Sequence, residues 1–417
     1  MEVMKGTEKK NMLVPRLRFR EFDGEWKSNT LSGFDLKVID GDRGTNYPNG
    51  DDFSLEGYCL FMSAKNVTKS GFSFEEKVFI TKEKDALLRK GKLKRNDLVL
   101  TTRGSVGNIA FYNSSVELEN LRINSGMVLI RNENKDLEPS FIYSSFFSPK
   151  LDRQLKTIAF GSAQPQLTVK EINKFKFGIP TLPEQQKIAT FLSAVDEKIQ
   201  LLTRKKALLE QYKKGVMQRL FSGELRFKRD DGKDFPEWEF INGDSIFDSI
   251  SDKKHNSDLP ILAITQEHGA IPRDLINYNV TVTDRSIESY KVVQIGDFII
   301  SLRSFQGGIE YSNYKGICSP AYIILRPKLE VNKLFYKYYF KTEYYIQQLN
   351  KNLEGIRDGK MISYKYFSEI LLPLPCIEEQ NRIFEFLISL EKKVEIANEH
   401  LIRTQTFKKG LLQQMFV

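Results

Sequence analysis

The chain has 417 residues, 41% of them hydrophobic, which allows two to four domains with their own cores and argues against wholesale disorder. Lys and Arg number 63 against 54 Asp and Glu, a formal charge of +9 that suits a polyanionic partner. The three cysteines, Cys59, Cys318 and Cys376, fit free thiols in a reducing cytoplasm better than a disulfide framework. The polar N-terminus lacks a signal-peptide core, and no apolar run approaches the ~18–20 residues of a membrane span.

In chain order, a polar tail (1–14) is followed by Leu17-Arg18-Phe19, then Asp23-Gly24 and Glu25-Trp26. Asp97 to Ala110 reads as an apolar strand, a Gly-containing turn around Arg103 and a second short strand; Met127 to Ile130 reads as the next buried strand. Phe141 to Leu155 is an aromatic-rich helical stretch, and Gly161 to Gln166 a polar turn. Thr181-Leu-Pro-Glu184 fits a capping box that opens a long helix, and Ser222-Gly223 ends it. Within that helix Ile188, Leu192, Val195, Ile199, Leu202, Leu209, Val216 and Leu220 form one apolar seam, as in a coiled coil.

The same order then returns. Leu225-Arg226-Phe227 leads through Asp231-Gly232 to Glu237-Trp238; Asp297 to Glu310 carries a turn around Arg303; Tyr322 to Leu325 is a strand, Leu334 to Leu349 helical, and Gly355 to Lys360 a polar turn. Glu184-Gln185-Gln186-Lys187-Ile188 returns as Glu379-Gln380-Asn381-Arg382-Ile383, an offset of 379 − 184 = 195. The second seam, Ile383, Leu387, Leu390, Val394, Ala397, Leu411 and Met415, keeps that register, with Thr404 where Leu209 stood. A period this long is a duplicated domain, not a solenoid of ~20–50-residue units. The boundaries read as a tail 1–14, a first globular domain 15–180, a first long helix 181–224, a second globular domain 225–373 and a second long helix 374–417. The class is α+β: two domains of mixed strands and helices separated by two long antiparallel coiled-coil helices, pseudo-twofold and circularly arranged, with the termini close together.

Catalytic signatures are missing. The three histidines, His255, His268 and His400, lack ligand spacing, and there is no phosphate-binding Gly-rich loop, nucleophile elbow or Pro-Pro pair. The divergent polar turns draw attention instead: Arg103, Ser105, Gln164 and Gln166 in the first half, Arg303, Ser304, Gln306, Arg357 and Lys360 in the second. Arg and Gln make bidentate contacts to guanine and adenine, so different turns on one framework suit two DNA specificities. The competing reading is that Arg103 and Arg303 brace their turns through backbone carbonyls. Arg204-Lys205-Lys206 reads as a solvated helix face before a phosphate contact. The exposed flanks near Gln185, Lys187, Gln380 and Arg382 are the candidate partner-binding positions.

Two divergent domains, each followed by a long helix opening Glu-Gln-x-x-Ile, resemble the specificity subunit of type I restriction-modification enzymes. Leu182 to Ile188 and its twin, Gly161 to Leu167, Gly296-Asp297 and the Lys-Lys-Gly near each helix end carry the resemblance. It implies two target-recognition domains, each reading one half of a bipartite double-stranded DNA site, with paired helices that set the gap and dock two methyltransferase subunits. It implies no catalytic residue or metal in this chain; S-adenosylmethionine, ATP and Mg belong to the methyltransferase and the translocating, cleaving restriction subunits. The alternative is a duplicated coiled-coil scaffold that binds two protein partners without reading DNA.

Overall fold

The computed structural model describes residues 13–159, 166–255, 258–276, 287–351 and 362–417. They divide into two units, one made of the residues up to Leu202 together with His400–Val417, the other of Thr203–Glu399.

In the first unit, four antiparallel strands lie in the order Leu36–Asp40, Met127–Asn132, Leu98–Thr101, Ile109–Phe111. Both faces of this sheet are covered, which explains why its two central strands read as unbroken apolar runs, Leu98–Leu100 and Met127–Ile130. Leu98, Leu100, Val128 and Ile130 point into one core, while Val99, Met127 and Leu129 point into another. The second core is shared with Cys59–Met62, which pairs antiparallel with Phe79–Ile80 and parallel with Leu121–Ile123. The helical stretch after the sheet is two helices, Pro139–Ser145 and Pro149–Ala159. Lys27–Thr30 pairs with Lys176–Ile179, which runs into the first long helix, Leu182–Phe221.

The second unit repeats the sheet as Phe247–Ile250, Ile323–Pro327, Phe298–Ile300, Glu310–Tyr311. Helices Lys333–Tyr339 and Glu343–Asn350 follow, and Glu239–Asn242 pairs with Leu371–Leu374 before the second long helix, Ile377–Gln414. The layer beyond the sheet is where the copies part: here it consists of a Leu262–Thr265/Gly269–Pro272 hairpin and a Lys291–Val293/Gly316–Cys318 pair.

Each unit contains its own antiparallel stretch of helix pair. In the first, Ile188, Leu192 and Val195 share a core with Leu411, Leu412 and Met415, and Lys408 forms an ion pair with Asp196. In the second, Val216 and Leu220 share a core with Ile383 and Leu387, and Lys213 donates to Glu391 at 3.0 Å. Lys213 and Lys408, like Asp196 and Glu391, stand at the 195-residue offset, so the first lysine of each Lys-Lys-Gly fastens helix to helix. Ser222-Gly223 ends the first long helix as expected: Gly223 has φ +77°, and its N–H donates to Leu220 O at 3.2 Å.

The repeated Arg of Leu-Arg-Phe has a structural role that its spacing concealed. Arg18 gives Nε and Nη2 to the two oxygens of Glu184 at 2.8 and 2.7 Å, so this carboxylate holds the incoming chain, and among the described residues no bond closes the capping box expected between Thr181 and Glu184. The guanidinium also donates to the carbonyls of Asp23 and Gly24 at 2.6 Å each. Arg226 repeats this on Glu379 at 3.2 and 3.1 Å, with the carbonyls of Phe235 and Pro236. Counted back from Trp26 and Trp238, those carbonyls are equivalent. The structural twin of Asp23-Gly24 is therefore Phe235-Pro236, and the sequence match to Asp231-Gly232 is a coincidence of turn chemistry.

Candidate nucleic-acid interface

Asp97 and Asp297, which stand at equivalent places in the two globular domains, fix the base of the Arg103 and Arg303 turns. Asp97 accepts from Arg131 Nε and Nη2 at 2.9 and 2.6 Å and from the Lys94 N–H at 2.8 Å. Asp297 accepts from Arg326 at 2.7 Å through both nitrogens and from the Gln294 N–H at 2.7 Å. The acidic residue thus locks its strand to the neighbouring one, and Arg131 and Arg326 are its partners. Beside each Asp the chain needs a left-handed residue, supplied by Asn96 (φ +73°) and Gly296 (φ +91°).

In the first unit the Arg103 turn is tight because Gly104 and Gly107 take φ values of +70° and +93°. The N–H groups of Thr102 and Arg103 both donate to Gly126 O, at 2.8 and 3.2 Å, and the Leu167 N–H donates to Thr102 O at 3.1 Å. These bonds bring exposed Gln166 beside exposed Arg103 and Ser105. Arg43, which sequence reasoning missed, joins the same surface by donating to Ser125 O at 3.2 Å. Its loop is held by buried Asp42, which accepts from the N–H groups of Gly44 and Arg89 at 2.7 and 2.6 Å. The Gly44 bond above all holds this carboxyl below the usual aspartate range, despite its burial. The Gly41-Asp-Arg-Gly44 spelling between apolar stretches was the available signal. Arg43, Arg103 and Gln166 thus sit on connected loops at one end of the sheet.

In the second unit Gln306 is exposed on a single helical turn, Ser304–Gly307, and Arg303 is exposed at its N-cap, beside the exposed Gln266 to His268 hairpin loop. Lys253 and Lys254 are exposed on the loop after Phe247–Ile250, the place that Arg43 occupies in the other copy. Among the described residues, neither the Arg103 nor the Arg303 guanidinium meets a carbonyl or carboxylate, so a bracing role has no support there. Gln164, Arg357 and Lys360 lie outside the described residues.

Three expected contacts are corrected by burial. Ser304 is 1% exposed, and its Oγ accepts from the Ser301 N–H at 2.9 Å, so it shapes the turn instead of facing a ligand. Gln185 and Gln380, expected on partner-binding flanks, are each 1% exposed. Gln185 accepts from the Glu138 N–H at 3.0 Å and donates to the carbonyls of Asp136 and Pro180; Gln380 accepts from the Asn332 N–H at 2.9 Å and donates to Pro375 O. Each amide joins the start of a long helix to the residues just before a domain helix, Pro139–Ser145 in the first unit and Lys333–Tyr339 in the second. Lys187 and Arg382 remain on the surface, paired with Glu21 and Asp230.

The assembled chemistry is cationic and hydrogen-bonding, suited to phosphates and base edges. Among the described residues no group of three His, Cys, Asp or Glu side chains is placed to hold a metal, and no helix is long and apolar enough to cross a membrane.

Comparison with known proteins agrees with this architecture. The chain is 26% identical over 388 residues to the type I restriction enzyme MjaVIII specificity subunit of Methanocaldococcus jannaschii, covering 87% of this chain and 86% of that one. Its fold is similar to the type I restriction-modification S subunit of M. genitalium, with a TM-score of 0.57, 15% identity and coverage of 97% and 99%. A chain from a structure on complex assembly and conformational transition of the type I R-M system also gives a TM-score of 0.57, at 20% identity and 93% and 96% coverage. With residues 35–211 and 236–404 both matching the type I restriction modification DNA specificity domain, the chain belongs to that family as a specificity subunit.

Proposed function

We propose that this chain is the DNA-recognition and assembly subunit of a type I restriction-modification complex, each unit reading one half of a bipartite site. The observation that carries this reading is the arginine at the same framework position in both units, Arg103 and Arg303, exposed and unbraced among the described residues, on turns whose other side chains differ. A shared scaffold with different readers is what two half-site specificities require. The first long helix has 40 residues, about 60 Å at 1.5 Å per residue, which corresponds to roughly 18 base pairs at 3.4 Å each. That length suits a spacer that sets the gap.

The chain supplies addressing, and catalysis resides in its partners: two methyltransferase subunits that use S-adenosylmethionine, and restriction subunits that use ATP and Mg, all in the cytoplasm with the DNA. Methylation needs the target base withdrawn from the duplex, so a fixed register on the DNA is this subunit's contribution. The test is a genome-wide map of methylated adenines in cells carrying the cognate methyltransferase subunit, with and without this gene. A bipartite motif with a fixed gap is expected only with the gene, and exchanging one unit should change one half-site. Co-purification with the methyltransferase but no motif would favour the scaffold alternative.

A further inference from the structure

The turn that carries Arg303 is fastened differently from its counterpart around Arg103. Asn350 Nδ2 donates to Phe305 O at 2.8 Å, and Lys341 Nζ donates to Gly307 O at 2.9 Å and to Glu310 Oε1 at 2.6 Å. Gln266 Nε2 reaches Arg303 O at a longer 3.4 Å. Every second carbonyl from Arg303 to Gly307 therefore faces a side-chain donor from another element. The carbonyls of Arg303 and Ser304 are also met by the N–H groups of Gln306 and Gly308 at 2.9 Å each, so the donors on Phe305 O and Gly307 O are the ones that tie the turn to other elements and orient it.

Among the described residues of the first unit, no side chain from another element donates to a carbonyl of the Arg103 turn, and Thr101 at its base donates to Ser105 O. Ala110 stands where Glu310 stands, and Phe147, stacked edge-on against Tyr143 at 5.0 Å, stands where Lys341 stands. Its turn is held mainly by backbone groups, with Gly126 O accepting from Thr102 and Arg103 and the Leu167 N–H donating to Thr102 O. Ala110 and Phe147, which lie against separate cores in the first unit, are replaced by an ion pair in the second, with Glu310 only 3% exposed. A buried pair of this kind adds little net stability over an apolar one, so its distinguishing contribution is the bond to Gly307 O.

We propose that Lys341 and Asn350 are positioning residues that set the specificity of the second half-site by holding the Arg303 turn in one orientation. This rests on the reading of Arg303 and Gln306 as DNA contacts. Neither Lys341 nor Asn350 needs to touch DNA: a shift of about 1 Å at the turn is enough to spoil a bidentate contact.

The test uses the assembled methyltransferase with the full-length chain, scored on duplexes carrying single base changes in either half-site of its mapped motif. Lys341→Phe combined with Glu310→Ala installs the residues that the first unit carries at these positions and leaves no unpaired buried charge. It is expected to keep its melting temperature, to lose about tenfold in discrimination at the second half-site, and to keep discrimination at the first. Asn350→Leu should act in the same direction, and Lys341→Arg, which retains a donor, should restore most of the loss. Arg303→Ala is the reference. If Arg303→Ala lowers second-half discrimination and the double variant does not, the clamp is wrong while the reading of the turn stands. If Arg303→Ala leaves discrimination intact, the reading of the turn fails and the clamp falls with it.

Discussion

Arg18 and Glu184 lie 166 residues apart in sequence, yet both guanidinium-to-carboxylate bonds between them are under 2.9 Å, with Glu184 only 1% exposed. Arg226 and Glu379 repeat the pair in the second unit. Removing one partner of a buried pair strands the other charge, so Arg18→Ala should destabilise the first unit by about 3 kcal/mol. Lys187→Ala is the control, because its pair with Glu21 is half exposed on both sides, is screened by solvent and should shift melting far less. Calorimetric melting of both variants checks this. Equal, small shifts would mean that Arg18 is held by solvent rather than by Glu184.

Gln185 provides a second separation of roles. Its amide satisfies one backbone N–H and two backbone carbonyls, so Gln185→Ala leaves buried polar groups without partners and should cost about 2–3 kcal/mol in urea unfolding. The same substitution at Gln380 should be similar, through Asn332 and Pro375. Co-purification with the methyltransferase should persist for whatever fraction remains folded. A stable variant that no longer binds its partner would restore the amide to the docking surface.

These two cases show what a single sequence discloses. The seams and the sheet were legible because burial imposes a period: Ile188, Leu192 and Val195, like Ile383, Leu387 and Leu390, recur at helical spacing, and the Leu98 to Leu100 run is apolar throughout because its two faces lie against separate cores. Duplication made them firmer, since each pattern is written twice. The functions of Glu184 and Gln185 were not legible, because their partners are distant in the chain and a charged or amide side chain at a helix start looks exposed by default. Arg43 was missed for the same reason: its place beside Arg103 depends on the loop carrying Ser125 and Gly126.

Asp42 makes the first unit sensitive to acid. Its folded carboxyl titrates below the usual aspartate value, chiefly through the Gly44 N–H, while in the unfolded chain it returns to about 3.9. Between those two values the unfolded state holds more protons, so stability rises with pH; the contribution is complete above about pH 5 and is lost as pH falls through the folded value. Asp42→Asn removes the charge but keeps the shape. It should cost about 2 kcal/mol at pH 7 and flatten the loss of stability below pH 4. Denaturant titrations at pH 7, 5 and about 3.5 read this directly, and an unchanged acid slope would assign the sensitivity elsewhere.

Arg103 carries the most direct test of recognition. Its guanidinium is exposed and unbraced among the described residues, and its backbone is fixed by Gly126 O, so the side chain is presented from a rigid base. If it reads a base, Arg103→Ala should weaken the cognate first half-site by about 1–3 kcal/mol and relax the preference at one position. Melting should be unchanged, because no carbonyl or carboxylate loses its partner. A phosphate contact gives another pattern: binding weakens equally on all sequences, and the salt dependence of log K falls by about one unit. Competition binding of the assembled methyltransferase at two salt concentrations, on duplexes altered one base at a time, separates the two. A variant that discriminates as the native protein does, with the same salt slope, would remove Arg103 from the interface and leave Arg43 and Gln166 as the residues to substitute next.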